Sequence, residues 1–394
     1  MLKKILIFLI FIYVFFSDIL ISLFDISIIK LLLSLAILVL FSLYFLINFK
    51  KLKNLQFVFY PSFLTILLVM IWPQMGYINL FYTTIFGWIL CQNIKFSKKM
   101  LSITFLIQLL LVTYERFTSS VVYKSVTSGV LNENLYDYSK SFKLFDVTGF
   151  RPKGLFPGTL IATSFLIYLA MIYRNNIKIL FLLFLSALIT NGRLAILITG
   201  LTLFLKLYKS YSIIYFSRKL SPKKKLFFFI VPAFIFIIVM FISLPNNVTS
   251  NYIDVFDFTS TANAGRIYAY FQSLILFLSY SFTQKLFGLP GNEIYDIYDR
   301  VIASESGLIS MLLDIGIIGL LFYLYYFVKG WFLYKTPLLN LKSKQIGFKY
   351  VVLITFLSFF QYEHINGNVR GTLFWFLFIY SFILFKDNKI NVKQ

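Results

Sequence analysis

The chain has 394 residues, of which 59% are hydrophobic, 20% aromatic and only 13% charged, with a net charge of +22. Its mean hydropathy is +0.83. A soluble fold of this length has no core large enough for that much apolar surface, so a soluble enzyme, a disordered tail and a disulfide-stapled domain are excluded. Long continuous apolar runs, rather than alternating ones, predict an all-α polytopic membrane protein, a single integral domain over 1–394.

The N-terminal Lys3-Lys4 pair before Ile5 to Phe16 looks like a signal peptide without a small-residue cleavage site, and is read as an uncleaved first span. Apolar runs then predict about twelve spans: 5–24, 30–48, 55–72, 77–94, 100–116, 157–173, 177–191, 193–208, 226–244, 305–328, 350–364 and 370–386. The short neighbours 177–191/193–208 and 350–364/370–386 are expected to form helical hairpins. Two connections are long, 117–156 and 245–304, the second lying before the tenth span. Within it, 267–282 is apolar but polar at its ends, and is read as a helix along the membrane interface.

Charge fixes the expected orientation. With a cytoplasmic N-terminus, 25 of the 37 cations fall in inside segments, and the alternation holds for every loop, placing both termini in the cytoplasm. The basic balance is therefore that of a membrane protein and calls for no nucleic acid. Lysine follows the rule and arginine does not. Arg116, Arg151, Arg193, Arg266, Arg300 and Arg370, six of eight, fall outside or at the outer boundary. Guanidinium is a planar fork that grips phosphate through two hydrogen bonds and keeps its proton, so an outward-facing anion site explains the split. Pairing of each arginine with an external acid is the alternative.

Several other residues carry chemistry. In the tenth span Ser306, Ser310 and Asp314 share one face of a helix, with Asp314 nine residues beyond Glu305. An intramembrane carboxylate serves either a helix-to-helix hydrogen bond or a site, and Gly316 and Gly319 would let a neighbour approach it. Glu305 is either a favourable charge at a helix N-terminus or a general base for a hydroxyl. His364, the single histidine, sits in a turn with Glu363 and Arg370 and is structural or an acid/base contact. The Asp254/Asp257 and Asp296/Asp299 pairs read as solvated acids. One cysteine, Cys91, makes no internal disulfide, and no metal or cofactor site is expected.

These residues resemble a known family. Thr190-Asn-Gly-Arg193-Leu-Ala, Gly265-Arg266, Leu286-Phe-Gly-Leu-Pro-Gly291, and Glu305-Ser-Gly-Leu-Ile running into Asp314-Ile-Gly-Ile-Ile-Gly319 resemble, in order, blocks of the O-antigen polymerase/ligase family. The likeness covers roughly 150–330 and rests on topology before that. It implies a Wzy-type polysaccharide polymerase with a GT-C-like helical fold in the bacterial cytoplasmic membrane. Its donor would be an oligosaccharide on undecaprenyl diphosphate, itself a membrane lipid, taken on the outer face, with a chain-length regulator and a flippase as partners. The ligases' histidine signature is absent where Glu305-Ser306 stands, which favours polymerase over ligase. Carried onto this chain, the family chemistry makes Glu305 the base, Arg193 and Arg266 a diphosphate clamp, and Arg151, Arg300, Arg370, His364 and Asp314 further substrate contacts. A lipid-linked oligosaccharide flippase is the rival reading.

Overall fold

The computed structural model describes residues 2–24, 28–48, 56–71, 75–118, 122, 152–156, 159–190, 192–215, 271–289, 307–333, 339–340, 345–346, 348–359 and 368–391. The expected span 226–244, and most of the two long connections, lie outside the described residues. The described chain is helical, apart from an antiparallel pairing of β1 (Leu339–Asn340) with β2 (Gln345–Ile346).

Helix α1 runs through Leu2–Phe11, a π-helical turn at Ile12–Phe16, and Ser17–Phe24. There follow α2 (Ile28–Asn48), α3 (Gln56–Ile71), α4 (Met75–Gln92), α5 (Ile94–Thr118), α6 (Thr159–Ile172), α7 (Ile177–Thr190) and α8 (Arg193–Tyr215). After residues 271–279, also helical, come α9 (Phe282–Phe287), α10 (Gly307–Leu333), α11 (Phe348–Phe359) and α12 (Asn368–Asn391). Among the described residues, four stretches are long and apolar enough to cross a membrane: Leu2–Ser22, Ile28–Asn48, Ile94–Thr118 and Leu308–Lys329. Shorter apolar helices occupy each of the other expected spans that fall in described residues.

The faces of α5 show the solvent for which this bundle is built. Ile103, Leu106, Leu110, Tyr114 and Phe117 are exposed, while Ser97, Thr104, Gln108 and Glu115 are buried on the opposite face. Apolar outside and polar inside is the reverse of a soluble helix, and is stable where the surroundings are hydrocarbon. Helix α2 repeats this with Leu31, Leu35, Leu38 and Leu46 all exposed.

Helix α12 is the hub, every residue of 371–380 being buried. It packs in parallel along α4, and on its other side against α6. The α4 seam is made of small residues one turn apart. Thr83 faces Gly371, Gly87 faces the backbone and Cβ of Trp375, and the Cys91 thiol donates to the Phe376 carbonyl at 3.3 Å. A Cβ on Gly87 would stand 2.5 Å from the Cβ of Trp375, so only glycine allows this approach. The rings of Tyr323, Tyr326 and Phe327 on α10 pack on Phe374 and Trp375, with centroids 5.2 to 5.8 Å apart.

Both expected hairpins can be compared with the observed packing. Helices α7 and α8 pack on one another as expected, whereas α11 packs chiefly on α10. The physical reason is that Phe327 of α10 packs on the rings of both helices, on Phe356 of α11 at 5.4 Å and on Phe374 and Phe378 of α12 at 5.8 and 5.3 Å.

Candidate functional site

The two ends of the bundle differ chemically. At one end lie Lys95, Lys98 and Lys99, with Arg174 and Lys178 at the α6–α7 turn. Lys98 donates to the Tyr380 hydroxyl at 2.8 Å, and Tyr173 donates to the Lys98 carbonyl. The opposite end, where α5 finishes and α6, α8 and α12 begin, holds a different set of groups.

There Glu115 and Gln108 clasp the strand that returns to α6. The side chains stand seven residues apart on one buried face of α5, about 10 Å along its axis. One Glu115 carboxylate oxygen accepts from the backbone N–H of both Lys153 and Gly154, at 2.7 Å each, and the other accepts from Val122 at 3.0 Å. Gln108 accepts from the Leu155 N–H at 2.7 Å and donates to the Lys153 carbonyl at 3.1 Å. Gly154 turns the chain at a φ of 59°, and a Cβ there would strike the Gln108 amide. Two successive N–H groups converging on one oxygen form a backbone nest, a concavity suited to an anion. Lys153, which acts electrostatically on this carboxylate, is buried at 6% exposure, and Arg116, the next residue of α5, at 5%.

Phe156 continues the segment into the core, its ring 5.0 Å from that of Phe165 on α6. One turn along, buried Tyr168 is within electrostatic reach of Arg370, in the first turn of α12. The sequence-predicted Arg370 is thus half-buried at the Glu115 end. Arg193 is the first residue of α8, at the same end. Gly192 before it seats directly on the Thr163 side chain, leaving no room for a Cβ.

Asp314 occupies a break in α10. The expected regular helix through Ser310 and Asp314 is interrupted at Gly316, whose φ of 64° and ψ of −168° are not helical. The segment after α9 fills the break: the Leu289 N–H donates to the Leu313 carbonyl at 2.7 Å. Gly288, itself at φ 82°, lies against the Asp314–Ile315 peptide, and Gly316 lies against Leu286 and Gly288. Leu286–Leu289 and Asp314–Gly316, predicted as parts of separate blocks, therefore meet. A broken helix is tolerated at membrane depth only where protein or a water-lined cavity covers its freed backbone groups. Here the docked segment does so.

Of the other predicted site residues, Arg151, Arg266, Arg300, Glu305 and His364 lie outside the described residues, as does the side chain of Arg193. Sequence reasoning does not single out Gln108, Glu115 or Lys153; the available signal is the polarity of Gln108 and Glu115, seven residues apart on one face of an apolar run. Among the described residues, no three of His, Cys, Asp and Glu gather to hold a metal. The arrangement places cations and a built-in carboxylate at one end of an apolar bundle, suited to holding an anionic head group beside lipid. No family model and no curated protein matches the chain.

Proposed function

We propose that this protein is a membrane polysaccharide polymerase that joins repeat-unit oligosaccharides from undecaprenyl diphosphate on the outer face of the bacterial cytoplasmic membrane. Twelve spans, cytoplasmic termini and a GT-C-like arrangement belong to the same reading. The observation that carries it is the segregation of arginine from lysine. Topology alone gives no reason to separate them, while bidentate capture of diphosphate does. The resemblance of the Arg193, Arg266, Leu286–Gly291 and Glu305–Gly319 blocks supports it. So does the position of Arg370 and of the start of α8 at the end opposite the lysines.

The donor sugar leaves diphosphate at its anomeric carbon. Arg193 and Arg266 neutralise the charge that grows on the leaving group, a preorganised electrostatic role. Glu305 accepts the proton of the attacking hydroxyl as the new glycosidic bond forms and the bond to diphosphate breaks, with inversion. The activated bond supplies the driving force.

Arg193→Ala and Arg266→Ala, at wild-type abundance, abolish long polymer and leave single lipid-linked units. Wild-type chain length in both overturns the clamp. The broken α10 favours a second reading, a lipid-linked oligosaccharide flippase, since transporters bind substrate at discontinuous helices. Proteoliposomes given the lipid-linked donor separate the two: flipping without a new glycosidic bond means a transporter.

A further inference from the structure

We infer that Glu115 and Gln108 are positioning residues that hold Lys153 as a cationic contact for the diphosphate of the lipid-linked donor; the inference rests on the proposed polymerase reading. A glutamate and a glutamine are both fully buried on an apolar helix, and both grip one five-residue segment, 152–156, with Glu115 also accepting from Val122. A buried carboxylate in such a helix is costly, and a loop that needed only an anchor would be served by neutral groups. What the carboxylate adds is charge. It attracts the Lys153 ammonium while one of its oxygens accepts from the same residue's backbone N–H. The contacts fix the backbone of Lys153 at both its N–H and its carbonyl, so the residue is set in place before a ligand arrives.

The location agrees with that role. Residues 153–156 connect through Phe156, Phe165 and Tyr168 to Arg370, and Arg116 follows Glu115 directly in α5. Lys153 and Arg116 at this end outnumber the Glu115 carboxylate, a positive balance that an anionic head group complements. Preorganised cations bind better than free ones because their ordering cost is met during folding.

The test uses the full-length protein in lipid nanodiscs, with inorganic pyrophosphate as the probe. Lys153→Met and Glu115→Gln each weaken pyrophosphate binding by about tenfold, and the double variant is no weaker than Lys153→Met alone, because Glu115 acts through Lys153. Gln108→Met, which suits an apolar helix, weakens binding in the same direction and speeds hydrogen exchange at Lys153, Gly154 and Leu155. Exchange along the Gly87 face of α4 stays as in wild type in all of them. Additive losses, or wild-type affinity in Lys153→Met, overturn the positioning role. A wild-type protein that binds no pyrophosphate overturns the diphosphate reading itself, a distinct result.

Discussion

Gly288 and Gly316 meet backbone to backbone: a Cβ on Gly316 would stand 2.5 Å from the Gly288 amide nitrogen, and both residues hold a positive φ with ψ near 180°. That combination of angles belongs almost wholly to glycine, and another residue there costs about 1–3 kcal/mol before any overlap is counted. The pair ties the segment after α9 into the break in α10 beside Asp314.

Gly288→Ala and Gly316→Ala are each expected to lower the thermal unfolding midpoint of the purified protein by several degrees. The double variant costs less than the two losses added, because one junction is broken twice. Midpoints in a mild detergent, read by intrinsic fluorescence, check this. Wild-type midpoints in both singles contradict the junction.

The α4–α12 seam yields a second expectation. Gly87→Val drives methyl groups into Trp375 and costs about 1–3 kcal/mol through overpacking. Leu35→Ala, on the exposed face of α2, changes stability by about 0.5 kcal/mol or less. The same unfolding measurement separates the two. Equal effects would show that the seam is not close-packed.

Much of the fold was legible because hydropathy reports burial in lipid directly. The run after Lys4 became α1, and the Lys-rich turn near Lys98 became one end of the bundle. The π-turn at Ile12–Phe16 left no trace, since Ile-Tyr-Val-Phe-Phe is equally apolar in either helical form. The break at Gly316 was hidden for the same reason: glycine in an apolar run reads as close packing, and only the partner segment shows that it bends the chain. Glu115 was passed over because an acid beside Arg116 at a helix end resembles an ordinary local pair. Its true partners, the N–H groups of Lys153 and Gly154, lie 38 and 39 residues away.

Topology gives a third prediction. Reporters fused after residue 290 and after residue 342 are expected to report opposite sides of the membrane, because the charge alternation read from the sequence puts 245–304 outside and the Lys-rich segments inside. The same side for both fusions would mean that 267–282 crosses, reversing every later loop.

The fork geometry of arginine gives a fourth. On the proposed polymerase reading, Arg370→Lys keeps the charge but loses the guanidinium's paired hydrogen bonds to phosphate, and is expected to shorten the polymer nearly as much as Arg370→Ala. Gel profiles of the polysaccharide, at matched protein abundance, read this. Full-length polymer from the lysine variant would show that a point charge suffices.

The thiol of Cys91 reaches a carbonyl 285 residues further along the chain. During translation at roughly 5–20 residues per second, the groove on α4 therefore stands open for on the order of tens of seconds. Until α12 emerges, the small-residue face of α4 lacks the helix that packs on it. The α4 seam therefore closes only once α12 has been made, well after α4 itself has formed.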